Sequence, residues 1–423
     1  MKVPSLQAFL SGIADAGREL ISGEGRAGAS DLPGLCRDLV SQRGEALGVA
    51  LAREVVRAYQ ALDQDARLSF FSMLRDDYGP DMAALDGAIA AYRSDPDQET
   101  ALALGRAVEP ARQRLIRAVN MAPGGTAAVV AMRRHLLELL PEHPELGPVE
   151  ADFGHLLNSW FNRGFLTLEQ IDWGTPALVL EKIISYEAVH AIEGWDDLRR
   201  RLEGDRRCFA FFHPALPDEP LIFVEVALVK GLADKIAPLL ALDSEIADAA
   251  RADTAIFYSI SNCQEGLRGI SFGNFLIKQV VSRLQGELPN LKQFATLSPL
   301  PGFRTWLDRA RQEQNAVLSG LPENPPLHDE SEYRDDLIRL AAHYLVKEKR
   351  KGGPLDPVAR FHLGNGARIE RINWMGDASE RGVAQSAGML VNYLYDLDKI
   401  ESYHEAFANE GSIACSRPVR GLL

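Results

Sequence analysis

Residues 254–261, Thr254-Ala-Ile-Phe-Tyr-Ser-Ile-Ser261, run into Asn262-Cys-Gln-Glu-Gly-Leu-Arg-Gly-Ile-Ser-Phe-Gly273 and then into a stretch carrying Phe275, Ile277, Val280 and Val281. The first part is rich in aromatic and β-branched residues and bounded by turn formers, the pattern of a buried strand. The last part spaces its apolar residues as one face of a helix. A strand that feeds a helix through a glycine-bearing turn exposes backbone N–H groups on which a pyrophosphate can dock. As a motif this is weak, because the same glycines serve a plain tight turn.

Outward from this unit the texture repeats. Residues 208–213, 220–229, 292–298 and 367–373 also read as strands, and 231–242, 272–288 and 337–349 as helices between them, so this half is mixed α/β. Residues 320–332, with Pro322, Pro325 and Pro326, read as a surface connection. Towards the amino terminus the pattern changes to helix alone, as in Leu6, Phe9, Leu10 and Ile13. Asp63 is placed to cap a helix through Phe70, Phe71 and Leu74, which Gly79-Pro80 ends, and Pro123-Gly124-Gly125-Thr126 separates two longer ones. Pro141, Pro144 and Pro148 mark the expected boundary between a helical domain, 1–149, and a second domain, 150–423. A chain of 423 residues is long enough for two cores.

The formal net charge of −13 argues against a nucleic-acid polymer as partner. It leaves small anions possible, since a few local cations and helix ends suffice for them. Cys36, Cys208, Cys263 and Cys415 form no CxxC pair, so neither a zinc site nor a disulfide framework is expected. No segment is long and apolar enough for a membrane span or a secretory signal. The expectation is a cytoplasmic bacterial protein with no metal.

Three further constellations carry chemistry. In Thr296-Leu-Ser-Pro-Leu-Pro-Gly-Phe303 the prolines fix the backbone around Ser298, which projects from a strand end. A capping serine in a proline-rich turn is the plainer account, and no Gly-x-Ser-x-Gly elbow supports a hydrolase nucleophile. In Arg360-Phe-His-Leu-Gly-Asn-Gly-Ala-Arg368, His362 sits between apolar residues before a turn, where partial burial can tune its protonation, although such a histidine is often structural. In Ser386-Ala-Gly-Met-Leu-Val-Asn-Tyr-Leu-Tyr395 the spacing of Met389, Asn392, Tyr393 and Tyr395 is compatible with a helix whose last turn approaches a site, or with a core aromatic pair.

Taken in order, these segments resemble the malonyl-CoA decarboxylase family. The likeness runs from Trp160-Phe-Asn-Arg-Gly-Phe-Leu166 through Ala188-Val-His190, residues 220–228, Ala255-Ile-Phe-Tyr-Ser-Ile-Ser261, Leu276-Ile-Lys278 and Leu297-Ser-Pro299. It continues through Phe361-His-Leu363, Asn365-Gly-Ala367 and Arg371-Ile-Asn-Trp-Met375 to Asn392, Tyr393 and Tyr395. The resemblance implies an N-terminal helical domain used for homo-oligomer contacts (dimer or tetramer) and a C-terminal catalytic domain of acetyltransferase-like (GNAT) fold, α+β overall. It implies Ser298 and His362 as the catalytic pair, with Ser259 and Tyr395 at the active site. It also implies CoA across the turn after the opening strand, where the candidate contacts are Arg268, Gly269, Ser271, Phe272 and Gly273, with Lys278 on the helix. Some relatives carry a glutamate where this chain has Ser271, so no role of that carboxylate transfers.

The implied reaction converts malonyl-CoA to acetyl-CoA and CO2. The thioester accepts the electrons left behind as an enolate, so no cofactor is needed beyond the CoA of the substrate itself. His362 is expected to deliver the proton and Ser298 to orient it. The rival readings are an acyl-CoA-dependent N-acetyltransferase and a non-catalytic CoA-binding scaffold.

Overall fold

The structure, a computed structural model, describes residues 31–41, 44–270, 276–323, 325–350 and 352–423. The expected helix through Leu6, Phe9, Leu10 and Ile13, and the candidate residues Ser271, Phe272 and Gly273, lie outside the described residues. The chain divides into two compact units, one of them the described residues up to Leu166 with His213–Glu219 and Gln264 to Ile270. The other comprises Thr167–Phe212, Pro220–Cys263 and the described residues that follow.

The first unit is helical: α1 (Leu32–Ser41), α2 (Glu45–Gln60), α3 (Gln64–Asp76), α4 (Met82–Ser94), α5 (Gln98–Val108), α6 (Ala111–Asn120), α7 (Gly125–Leu139) and α8 (Gly147–Trp160). The Asp63 carboxylate accepts from the Ala66 N–H at 2.9 Å and starts α3, as its position before the apolar run requires. Phe71, Val129, Leu136 and Phe153 are fully enclosed in the core. Between α6 and α7, Gly124 has φ 71° and a Cβ on Gly125 would sit 2.3 Å from the Val119 carbonyl, so this turn needs both glycines. The proline cluster does not end the unit. Pro144 opens a short 3-10 turn and Pro148 lies in the first turn of α8, where a missing N–H costs nothing. The unit therefore runs on to Leu166 rather than stopping at residue 149.

The segment from Gln264 belongs to this unit because Arg133 holds it. Its guanidinium donates to the carbonyls of Gly266 (2.7 Å) and Arg268 (2.9 Å) and pairs with Glu150 (2.7 Å). Gly266 lies so close to the Val130 carbonyl that no side chain fits there.

The second unit contains β1 (Thr167–Ile171), α9 (Ala177–Tyr186), α10 (Trp195–Arg201), β2 (Arg206–Phe212), β3 (Ile222–Val229), α11 (Ala237–Leu240), β4 (Thr254–Asn262), α12 (Leu276–Glu287), β5 (Gln293–Thr296) and β6 (Ser298–Pro299). It continues with α13 (Phe303–Gln312), α14 (Arg334–Val346), β7 (Lys349–Arg350), β8 (Gly353–Pro354), α15 (Pro357–Gly364), β9 (Arg368–Asn373), α16 (Glu380–Ser386), β10 (Leu390–Leu394), α17 (Ile400–Glu410) and α18 (Arg417–Arg420). Among the described residues one sheet has eight strands, in the order β1-β2-β3-β4-β5-β10-β6 with β9 also on β10. Its one parallel pair is β4 with β5, joined through α12. The fold class is α+β, a helical region followed by a mixed sheet with helices.

Two sequence expectations fail here. Residues 231–242 form only the four-residue α11, because Gly231 has φ 67° and side chains take the carbonyls a helix would use. Arg371 donates to the Leu232 carbonyl at 3.0 Å, and Asn392 to that of Ala233 at 3.0 Å. Residues 390–394 are the strand β10 rather than a helix. Ala387 (φ 50°) and Gly388 (φ 75°) end α16, and β10 then pairs with β9, β5 and β6. A residue sequence of Leu-Val-Asn-Tyr-Leu fits a strand enclosed by neighbours.

Candidate active site

The ladder between β4 and β5 ends at the pair Phe257 and Thr296, while β4 stays paired with β3 as far as Asn262. Past Thr296 the chain turns instead to β10, pairing Ser298 with Val391 and Pro299 with Leu390. Pro299 lacks the N–H that would continue a ladder towards β4. The sheet therefore parts between β4 and β6. A cavity of about 260 Å3 lies in the gap, walled by Val224, Phe257, Ile260, Ile277 and Val358 and bounded by Asn262, Ser298 and His362. No Lys, Arg, Asp or Glu is among its described lining residues.

Beside this cavity a chain of hydroxyls and one imidazole is assembled from separate elements. The His362 Nε2 lies 3.1 Å from the Ser298 Oγ, and its Nδ1 lies 2.8 Å from the Tyr395 hydroxyl. Ser298 donates onward to the Thr296 Oγ1 at 2.9 Å, and Thr296 also accepts from the Tyr393 N–H at 3.2 Å. One polarity satisfies the chain: the Tyr395 O–H donates to Nδ1, Nε2–H donates to Ser298, and Ser298 donates to Thr296. The Tyr393 ring stacks on the imidazole with centroids 4.6 Å apart, which fixes the ring plane. Burial alone pushes the His362 pKa down to about 3 and lifts that of Tyr395 well above its usual value. The cluster is thus neutral.

His362 is carried by α15, whose start is set by Asp356: one carboxylate oxygen accepts from the Ala359 N–H at 2.8 Å. Ser298 is held by the proline turn and by Ser386, whose hydroxyl accepts from the Leu300 N–H at 3.0 Å. The structure brings Ser298, His362 and Tyr395 together.

Ser259 stands apart from them in bonding. Its hydroxyl donates to the Glu187 Oε2 at 2.7 Å and lies 3.2 Å from the Ser261 Oγ. The other Glu187 oxygen accepts from the N–H groups of Val189 (2.7 Å) and His190 (2.8 Å). Beside this cluster, burial holds the Glu225 carboxyl well above the usual carboxylate range although Arg201 pairs with it at 2.8 Å. Of the candidate CoA contacts, Arg268 is exposed and 3.6 Å from Glu265, within the helical unit together with Gly269 (φ 80°). Lys278, on α12, pairs with Glu401 at 2.6 Å. Sequence reasoning passes over Asp356, Thr296 as a bonded member of the chain, and Glu187. For Asp356 the signal is present, since Asp356-Pro357 is a cap followed by a first-turn proline.

Comparison with known proteins places this geometry. Residues 164–423 match the model of the malonyl-CoA decarboxylase C-terminal domain, and residues 78–161 that of the N-terminal domain. The mitochondrial malonyl-CoA decarboxylase of Anser anser anser is 36% identical over 413 residues, covering 86% of this chain and 82% of that protein. The enzyme of Mus musculus is 36% identical over 354 residues, covering 75% and 72%. The crystal structure of malonyl-CoA decarboxylase from Rhodopseudomonas palustris superposes with a TM-score of 0.87 at 53% identity, over 92% of this chain and 98% of that one. The one from Agrobacterium vitis gives 0.86 at 50% identity, over 93% and 99%. With both domain models matched in order and the chain covered nearly end to end by these structures, this protein belongs to the malonyl-CoA decarboxylase family.

Proposed function

We propose that this chain decarboxylates malonyl-CoA to acetyl-CoA and CO2, with Ser298, His362 and Tyr395 as the working side chains. One observation carries the reading: a neutral Tyr395–His362–Ser298 hydrogen-bonded chain ends on an apolar cavity with no charged side chain among its described lining residues. The malonyl thioester enters along the edge of β4 that β5 leaves free, with its carboxylate in the apolar cavity beside Ser298 and His362. There the carboxylate loses water and gains no cation, which favours its departure as CO2. The electron pair of the broken C–C bond moves into the thioester as an enolate. Nε2–H and the Ser298 hydroxyl are the donors at hand for the enolate oxygen.

The acid role of His362 depends on the substrate. The enolate left when the C–C bond breaks is a strong base, so the Nε2–H proton of the neutral ring passes to the α-carbon while Nδ1 takes the proton of the Tyr395 O–H, which solvent then restores. Tyr395 supports this by holding Nδ1 and keeping Nε2 directed at Ser298. The thioester is the electron reservoir, so the scheme calls for no metal or organic cofactor. Lys278, which follows the cavity residue Ile277 in the first turn of α12, is the candidate cation for the CoA phosphates.

The test is release of labelled CO2 from carboxyl-labelled malonyl-CoA by chelator-treated protein, with acetyl-CoA in equal amount. Turnover should persist after chelation and fall about 100- to 1,000-fold in H362N and in S298A. Near-normal turnover in both variants would remove the assignment, and a need for added metal would remove the cofactor-free scheme. Consumption of acetyl-CoA with an amine would point to acetyl transfer, which the family does not favour.

Homo-oligomer formation through the helical unit is part of the reading. Neither α4 nor α5 has a buried residue, although Met82, Leu102 and Val108 are apolar and more than half exposed. A cytoplasmic bacterial setting is supported by the two bacterial structures at 50% identity or above, whereas the curated relatives are mitochondrial.

A further inference from the structure

We infer that Asp356, Tyr344 and Gly302 form a positioning link that ties the helix carrying His362 to the turn carrying Ser298; the inference rests on the catalytic reading of that pair. Ser298 and His362 belong to elements 64 residues apart in sequence, so something besides chain connectivity must hold their 3.1 Å contact. Asp356 is fully buried and uses its two oxygens differently. One caps α15 through the Ala359 N–H, and the other accepts from the Tyr344 hydroxyl at 3.2 Å. A cap needs only the first of these bonds.

Tyr344 supplies the other half of the link. It lies on α14, 1% exposed, packed against Phe303 (ring centroids 5.7 Å apart) and Trp306 (5.4 Å) of α13. Its hydroxyl reaches Asp356 over Gly302, the residue that joins the Ser298 turn to α13. A Cβ on Gly302 would sit 2.5 Å from the Tyr344 oxygen. The φ of Gly302 is −98°, which any residue adopts, so glycine is required there by space and not by conformation. The tyrosine hydroxyl is thus in contact with the serine turn on one side and hydrogen-bonded to the cap of the histidine helix on the other. Pro357 and Val358, next to Asp356, line the cavity, so a loosened cap moves the wall as well as the ring.

A misplacement of reacting groups by about 1 Å costs up to 100-fold, so the expected loss is in turnover rather than in binding. Y344F, D356A and G302A should lower kcat for CO2 release about 10-fold with KM for malonyl-CoA within about twofold. D356N should recover most of the kcat, because its amide oxygen caps Ala359 while its N–H2 donates to the Tyr344 hydroxyl. In an H362N background Y344F should cause no further loss, since the link acts through that ring; a general structural role would subtract again. Where D356A does not fold, Y344F decides. A folded Y344F with wild-type kcat, a loss carried by KM, or an undiminished further loss in H362N each overturns the inference. If H362N itself turned over normally, the catalytic reading would fail first; an inactive H362N beside a fully active Y344F would sink the positioning role alone.

Discussion

Ser298 and Ser259 are both buried hydroxyls on strands of one sheet, 7% and 2% exposed, and they differ in what holds them. Ser298 belongs to a chain of neutral groups ending at an imidazole beside a cavity. Ser259 gives its proton to Glu187, a carboxylate that also accepts from Ser261, Val189 and His190. A carboxylate so saturated commits the hydroxyl to it, because charge-assisted bonds are the strong ones. A neutral chain has no such commitment and can rearrange when an anion arrives. Likeness of residue type and burial therefore does not imply likeness of role: the first cluster is suited to proton movement, the second to anchoring residues 187–190, of which Val189 lines the cavity.

The largest effects should fall on the neutral chain, where H362N and S298A lose about 100- to 1,000-fold in turnover. Y344F comes next, with about a 10-fold loss confined to kcat. S259A should keep turnover within about threefold but lower the melting temperature, since a hydrogen bond to a buried charged group contributes about 1.5–3 kcal/mol. A 100-fold activity loss in S259A without a change in melting temperature would collapse the distinction between the clusters.

Two pH measurements sharpen it further. Burial holds His362 at about 3 in the free enzyme, so kcat/KM should show no inflection from this ring between about pH 5 and 8. An inflection there that vanishes in H362N would contradict the neutral chain. Burial also raises Asp356 from its ordinary 3.8 to about 6. The folded state then binds that proton more tightly than the unfolded chain, so the associated stability is full below about pH 4 and is lost as pH rises through about 6, with about 1.4 kcal/mol for each tenfold difference in proton affinity between the two states. The melting temperature of D356N relative to wild type should rise from pH 4 to pH 7; a constant difference would place the carboxyl in a wetter environment.

Much of the fold is legible where one local interaction dominates. Asp63 starts α3 because a side-chain oxygen before an apolar run satisfies a helix N–H whatever lies around it. The strands β2 to β5 announce themselves through aromatic and β-branched runs that only a buried sheet accommodates. β1, Thr167-Leu-Glu-Gln-Ile171, escapes a reading by pattern because among the described residues it pairs with β2 alone, and it carries polar residues outward. β10 reads as helix because Met389, Asn392 and Tyr393 also fit helical spacing, and its strand state comes from the partners on its flanks. Three prolines suggest a domain boundary, yet a proline in a first helical turn breaks nothing.

By itself the sequence determined the order of helical and mixed regions, the proline turn that presents Ser298, and the chemical identities of Ser298, His362 and Tyr395. The first two follow from residue type and near-neighbour spacing, and the choice of those three side chains follows from the family resemblance of the segments that carry them. Tertiary structure alone decided that the sheet parts after Thr296, that the imidazole is neutral, and that Ser259 answers to Glu187 rather than to His362. Each of those depends on which groups distant in the chain are brought within hydrogen-bonding reach and how completely water is removed around them, and no local pattern of residues encodes either.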